Sequence, residues 1–300
     1  MNSTPGTNDT TGPSPDPYDA TLTTADGRAT LRIERALAHP PERVWTALTD
    51  PAALGRWFPA EVTLDLAPGG RIVFRFPGAE DGDPRTKGIV MAVDEPRLLA
   101  FTWGGDELRW SVAPKGGGAL LTLVHTFGDL PGAASFASGW HLCVAALARS
   151  LDGEPVPAGR DTGALHEAYL HRFGLDRGTV ETLGETGERR IRFERQLVRP
   201  AGTVWAALSA GIEPVAGLPV PEGFTADGVT AGPVTEVRAP HSLTYRAEPD
   251  TTVVWELRDG TGHGARLVLT QTGPAESVTD ALSIAWRNRI ERLAAELLRL

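Results

Sequence analysis

The chain has 300 residues, 41% of them hydrophobic, and a net charge of −9. That length and apolar content suit two cores of ordinary domain size. The acidic balance and the lack of a long basic cluster exclude a nucleic-acid surface, and no run of about 18 apolar residues marks a membrane span. One cysteine, Cys143, excludes an intrachain disulfide and fits a reducing cytoplasm.

Residues 1–19 are rich in Pro, Gly, Ser, Thr and Asp and read as a disordered tail. They show no basic stretch followed by an apolar core, so no signal peptide is expected. Ala29–Ala36 has strand character. Pro40 and Pro41 stop it and open a helix whose apolar face is Val44, Trp45 and Leu48. Asp50-Pro51 breaks that helix, and a second short one carries Leu54, Trp57 and Phe58. Strands are predicted at Val62–Leu66, Arg71–Phe76, Gly88–Asp94, Leu98–Trp103, Glu107–Ala113 and Ala119–Phe127, with Gly69-Gly70 and Gly116–Gly118 as turns. A long helix follows at about 134–151. A further helical stretch near 162–173, capped by Gly174, is assigned to the same domain. The domain then spans 20–176, a polar connector spans 177–188, and a second domain spans 189–300.

That second domain repeats the first. Residues 31–48 and 191–208 align at a constant offset of 160, with half of the positions identical, among them Glu34/Glu194, Arg35/Arg195, Pro40/Pro200 and Trp45/Trp205. A repeat this long means tandem domains, because solenoid repeats run about 20–50 residues. Trp140 and Trp286 match further on, each within a helical pattern, so helices should start near Ala134 and Ser277. Pro59 and Gly88 match Pro219 and Gly232, with 60–87 between the first pair and only 220–231 between the second. The loss is about one β-hairpin. The second sheet should lack two strands, and its open edge needs a cover, either domain one or a second chain.

The run ERALAHPPERVWTALTDPAALGRWFP at 34–59, GGRIVFRF at 69–76, DEPRLLAFTW at 94–103 and GWHLCVAAL at 139–147 resemble the SRPBCC superfamily, the START-like or helix-grip fold of the birch-pollen allergen. Within it the chain is most similar to the activators of the heat-shock-protein-90 ATPase. The resemblance covers 29–174 well and 188–300 weakly. It implies an α+β fold of two tandem helix-grip domains, each a curved antiparallel sheet wrapped around a long C-terminal helix, the second copy degenerate. It also implies a hydrophobic cavity between sheet and helix. It does not select a function, because the superfamily includes carriers, cyclases, hydrolases and co-chaperones.

Strand alternation places Phe74 with Phe76, Phe101 with Trp103, and His125 with Leu121 and Leu123 on inward faces. Trp57, Phe58, Trp140 and His141 complete the candidate ligand-binding set. Such a set of aromatics fits either a filled core or a ligand cavity. An inward histidine needs a partner, which is a ligand or a backbone group at the strand end. The second copy has Gln271 for His125 and Arg287 for His141, and the offset of 160 gives Gly217 and Leu218 for Trp57 and Phe58. Cys143 reads as buried packing. His166 and His171 are expected on solvent faces, not as metal ligands, and Glu34-Arg35 as an exposed ion pair. There is no nucleophile elbow, P-loop or dinucleotide motif. Neither a cofactor nor a metal is expected. The leading function is a cytoplasmic binding protein for a small hydrophobic molecule in domain one, with domain two as scaffold and a protein partner or homodimer contact through domain two. The alternatives are a polyketide cyclase or aromatase using His125 as acid or base, and a co-chaperone-like stimulator of a heat-shock ATPase.

Overall fold

The computed structural model describes residues 20–78, 86–157, 162–184, 187–262 and 264–300; the tail read at 1–19 lies outside them. The first unit runs β1 (Ala20–Ala25), β2 (Arg28–Leu37), α1 (Pro41–Thr49), α2 (Pro51–Leu54), β3 (Glu61–Leu64), β4 (Arg71–Arg75), β5 (Lys87–Asp94), β6 (Leu98–Trp103), β7 (Asp106–Lys115), β8 (Gly118–Phe127), α3 (Ala133–Leu151) and α4 (Gly163–Arg172). Its eight strands form one antiparallel sheet in the order β1-β2-β8-β7-β6-β5-β4-β3. The second unit runs β9 (Thr179–Leu183), β10 (Glu188–Gln196), α5 (Ala201–Ser209), β11 (Thr230–Arg238), β12 (Ser242–Glu248), β13 (Thr251–Asp259), β14 (Ala265–Gly273) and α6 (Asp280–Leu297). Its six strands are ordered β11-β12-β13-β14-β10-β9. Each sheet packs on its own closing helix, and each has a separate hydrophobic core. The architecture is α+β and helix-grip in both units.

Local signals act where they were read. Pro41 occupies the first turn of α1, and the Asp50 carboxylate caps α2 by accepting from Ala53 N at 2.8 Å. The closing helices begin at Ala133 and Asp280. The second starts three residues later than expected because Thr279 is the cap, accepting from Leu282 N. Helix α3 and the short turn before it, Leu130–Leu151, are long and apolar enough to cross a membrane by composition. Its buried face, including Trp140, Val144 and Leu147, shows that its apolarity serves the core.

Two strands escaped the sequence reading. β1 precedes β2 through a turn at Asp26-Gly27, both with positive φ (51° and 74°), the backbone that joins tightly paired strands. β9 lies within the span read as a connector, and pairs with β10 from Thr179↔Arg192 to Leu183↔Glu188. Thr-rich segments exposed on one face carry little apolar periodicity, which is why both were missed. The crossing between units is therefore shorter than expected, from Arg172 to Thr179.

The second sheet lacks two strands relative to the first, but the loss is distributed differently. In the first unit Gly69 N donates to Val90 O at 2.8 Å and Val90 N to Gly70 O at 2.9 Å. In the second, Gly217 N donates to Val234 O at 2.8 Å and Val234 N to Leu218 O at 2.9 Å. Gly69 and Gly217 share the same left-handed φ of 85°. Gly217-Leu218 is thus the counterpart of Gly69-Gly70, not of Trp57-Phe58. The chain was shortened on both sides of this glycine, removing α2, β3 and β4. The same loop, with a Pro219↔Pro233 bridge, covers the β11 edge. The cover expected from domain one or a second chain comes from the unit's own chain.

Polar clamps join the units. Asp129, before α3, receives a two-pronged contact from Arg266 of β14, 2.9 Å at Oδ1 and 2.8 Å at Oδ2, and a hydrogen bond from the Thr261 hydroxyl. Arg195 of β10 is buried and reaches Glu167 of α4 and Glu291 of α6. Arg287 of α6 holds Asp176. The Glu-Arg pair of the sequence therefore splits. Adjacent strand residues point to opposite faces, so Glu194 pairs with Arg192 at 2.6 Å while Arg195 turns to the interface; likewise Glu34 pairs with Arg32. His166, expected on a solvent face, is 3% exposed at this interface, while His171 is about half exposed. Glu167, His171 and Glu291 bring ligand-type atoms within 4.8 Å of one another, but the Arg195 guanidinium already occupies the place between the two carboxylates.

These carboxylates make docking acid-sensitive. Burial opposes ionisation of Asp129, yet the hydrogen bonds from Arg266 and Thr261 hold it below the usual carboxylate range. Burial likewise opposes ionisation of Glu167, and neighbouring His166 and the Arg195 charge more than offset it. A depressed folded-state value gives stability that is present at neutral pH and lost as pH falls through and below about 4. Arg266→Met should cost about 1–2 kcal/mol at pH 7, a discounted figure because Asp129 stays about a third exposed. It should also flatten the fall in melting temperature between about pH 5 and 3. An acid slope equal to that of the parent chain would contradict this assignment.

Candidate functional site

The first unit opens beside α3 into a cleft of about 490 Å³. Phe58 follows α2, Phe76 follows β4, Trp103 ends β6, and Phe136 and Trp140 come from α3. Trp103 is the centre of the aromatic set. It stacks on Phe74 with ring centroids 4.1 Å apart and on Phe76 at 5.9 Å, and meets Trp140 edge-on at 6.0 Å. Phe58, Phe76, Trp103 and Phe136 are each only partly buried. Deeper in, Trp57, Phe74 and Phe101 surround a residual space of about 20 Å³ and are packed solid. Trp57 Nε1 is satisfied there by the Ala47 carbonyl at 2.9 Å. Both arrangements anticipated for these aromatics occur, a filled inner end and an open outer one.

Of the nine candidate residues, Phe58, Phe76, Trp103, His125 and Trp140 line the cleft. Trp57, Phe74 and Phe101 belong to the packed end. His141 turns the other way, with Nδ1 3.0 Å from the Tyr169 hydroxyl of α4. Sequence reading missed Asp106, Ser135 and Phe136, and gave Cys143 no part in the wall it joins. Phe136 and Cys143 sit four before and three after Trp140 on one helix face, a spacing that could have found them. Asp106 opens β7 two residues before inward Leu108, so alternation could have found it too. Thr261 and Gly262, from the second unit, also line the cleft, and no sequence signal marks them.

His125 is 3% exposed and both ring nitrogens have protein partners. Trp140 Nε1 donates to Nδ1 at 3.2 Å, so Nδ1 carries no proton. The proton is on Nε2, which donates to Asp106 Oδ2 at 3.1 Å. Both ring nitrogens are thus taken by side chains, and neither by backbone. It presents Asp106, whose side chain is 26% exposed, to the cleft. The second unit repeats the relay without charge. Trp286 Nε1 donates to Gln271 Oε1 at 2.6 Å, and Gln271 Nε2 donates to Thr251 Oγ1 at 3.0 Å. There it passes to a fully buried hydroxyl, which donates to the Ala247 carbonyl at 3.1 Å. That unit's aromatics are buried as well: Phe224 packs edge-on against Trp205 at 5.1 Å and Trp255 at 5.7 Å, and its carbonyl accepts from Tyr245 and Trp255. Burial pushes the Tyr245 phenol far above its ordinary range.

Residues 38–152, less than half of the chain, match the family described as activator of Hsp90 ATPase homolog 1-like protein. Among solved structures, CalU16 from Micromonospora echinospora is 22% identical with a TM-score of 0.40, over 52% of this chain and 96% of that one. A conserved protein of unknown function, EF2215 from Enterococcus faecalis, is 19% identical with a TM-score of 0.44, over 52% and 90%. NE0264 from Nitrosomonas europaea is 22% identical with a TM-score of 0.37, over 43% and 97%. A search of curated proteins gave no significant relative.

The two relays predict an exchange. His125→Phe strands the Trp140 N–H in the core and should cost about 1–3 kcal/mol. The paired change His125→Gln with Asp106→Thr installs the second unit's own solution and should recover most of that stability in a thermal melt. A paired variant no more stable than His125→Phe would show that the relay is not interchangeable.

Proposed function

We propose that the first domain binds a small, largely apolar molecule with a flat ring system, and that the second domain supports it. The observation that carries this reading is the contrast between the two copies. The aromatics of the first unit stand partly exposed around an open cleft, whereas Phe224, Tyr245, Trp255 and Trp286 of the second are buried against one another. Partly exposed rings clustered in a concave wall are costly to leave in water and favour a flat apolar guest. The Asp106 carboxylate adds one acceptor for a donor on that guest. A cytoplasmic setting fits the single thiol, Cys143, which is buried beside the cleft.

A cyclase-like reaction is the second reading, and the Asp106–His125 pair at the cleft wall favours it. His125 is poorly placed as the acid or base, because Trp140 and Asp106 already occupy its two nitrogens. In that reading Asp106 takes the proton and His125 positions it.

The binding reading is tested with 1-N-phenylnaphthylamine, a neutral fluorescent probe, titrated into the full chain. Trp103→Ala should weaken it by about threefold to tenfold, the worth of a stacked ring. Trp286→Phe, in the second domain, should lower the melting temperature and leave the affinity of the folded protein unchanged. Absence of probe binding, or equal loss with both variants, would overturn the reading.

A further inference from the structure

A second cavity lies between the domains. Its volume is about 440 Å³, and its walls include Ser135 and Ser138 of α3, Thr162 and His166 at α4, and Arg199 and Thr261 of the second domain. It shares Ser135, Thr261 and Gly262 with the aromatic cleft, so the two spaces adjoin across one wall. Their characters differ. The cleft is ringed by aromatic side chains, whereas the chamber is faced by four hydroxyl residues, an imidazole and a guanidinium.

His166 is the unexplained group. It is 3% exposed; its Nδ1 faces only Glu167, and its Nε2 makes no hydrogen bond. Nδ1 lies 3.4 Å from Glu167 Oε1, an ion-pair distance without hydrogen-bond geometry, and Nε2 has no such neighbour. Buried polar groups are normally paired, and one left unpaired beside a roomy polar cavity points to a missing partner. The wall on the far side is fixed rather than loose. Thr261 N donates to Gln196 Oε1 at 3.0 Å, its hydroxyl bonds Asp129, and Gly262 has the left-handed φ of 77° that turns the loop. Gly132 faces this loop, and a Cβ there would collide with the Thr261 side chain. Of the charges nearby, Glu167 holds Arg195, and Arg199 is tied through Nε to the Leu297 carbonyl at 3.1 Å. The hydroxyls and the imidazole on these walls suit a hydrogen-bonding group that both donates and accepts.

We propose that cleft and chamber are two halves of one elongated site, which takes an amphipathic ligand with an aromatic body against Trp103 and Phe76 and an uncharged, hydroxyl-bearing end reaching past Ser135 to His166. The second domain then completes the site, since Thr261 and Gly262 wall both halves. This inference rests on the binding role proposed for the cleft.

Calorimetric titration of the full chain with 2-naphthol and with 2-naphthyl β-D-glucopyranoside separates the two claims. Both probes share the aromatic body, and the second adds a neutral hydroxylated end. The glucoside should bind about tenfold more tightly than the naphthol, the equivalent of roughly 1.4 kcal/mol. His166→Leu should remove that gain and leave the naphthol affinity as it was. His166→Gln should keep most of the gain, because an amide can replace the imidazole as a hydrogen-bonding partner. Ser138→Ala, a mild change within a helix, should reduce the gain about threefold, and it carries the test if His166→Leu does not fold. Naphthol binding without a glucoside advantage, or an advantage untouched by His166→Leu and Ser138→Ala, overturns the elongated site and leaves the cleft reading standing. If neither probe binds, both fall.

Discussion

The fold depends on the tie between the closing helix and the strand beneath it. In each unit a tryptophan on that helix points into the sheet, and its N–H must find an acceptor in the core. Trp140 finds His125 and Trp286 finds Gln271. The acceptor in turn needs its own second atom satisfied, which fixes Asp106 in one unit and Thr251 in the other. Helix register, strand register and the start of the neighbouring strand are locked by one chain of hydrogen bonds. Close backbone approach does the rest. A Cβ at Gly118 would collide with the Leu37 carbonyl, and one at Gly264 with the Leu197 carbonyl, so the same glycine is required at the same place in both copies.

From that common frame the two units diverge by what fills them. The first keeps α2, β3 and β4, which bring Phe58, Phe74 and Phe76 to Trp103. The second has lost those elements and carries Ala247, which pairs with Thr251 where Trp103 pairs with Asp106. A short turn at Glu222–Phe224 places Phe224 in the interior instead. Without the extra elements no wall remains to surround a guest, and the aromatic faces close on one another. The relay follows suit: where it faces a cleft it ends on a carboxylate, and where it is sealed it passes through a neutral hydroxyl to a backbone carbonyl. A carboxylate in the sealed position would be a buried charge without a cation, which the chain avoids.

Between the units the chemistry is mainly polar. Arg266, Arg195 and Arg287 each bridge to a carboxylate of the first unit, the pattern of a domain interface rather than of a shared core. Guanidinium groups suit this role because their planar donors match a carboxylate two at a time, as Arg266 does with Asp129. The geometry sets Thr261 and Gly262 against the mouth of the first domain's cleft, so the degenerate copy shapes a site it does not itself possess.

The sequence by itself determined the duplication, the order of most elements, the fold family and the loss of a hairpin's length from the second copy. These follow from identities at fixed offset and from apolar periodicity, which are local properties. Inward faces were legible for the same reason: His125, Leu123 and Leu121 alternate with outward residues and are buried. Only the tertiary structure decided which inward aromatics are packed and which stand open, because alternation says which face a side chain is on and nothing about what meets it from the opposite wall. Trp57 and Phe58 are neighbours, yet one is sealed and the other lines the cleft. The same limit hid His166, whose burial comes from a second domain docking on its helix. It also hid Thr261, whose place in the site is fixed by Asp129, more than a hundred residues earlier in the chain.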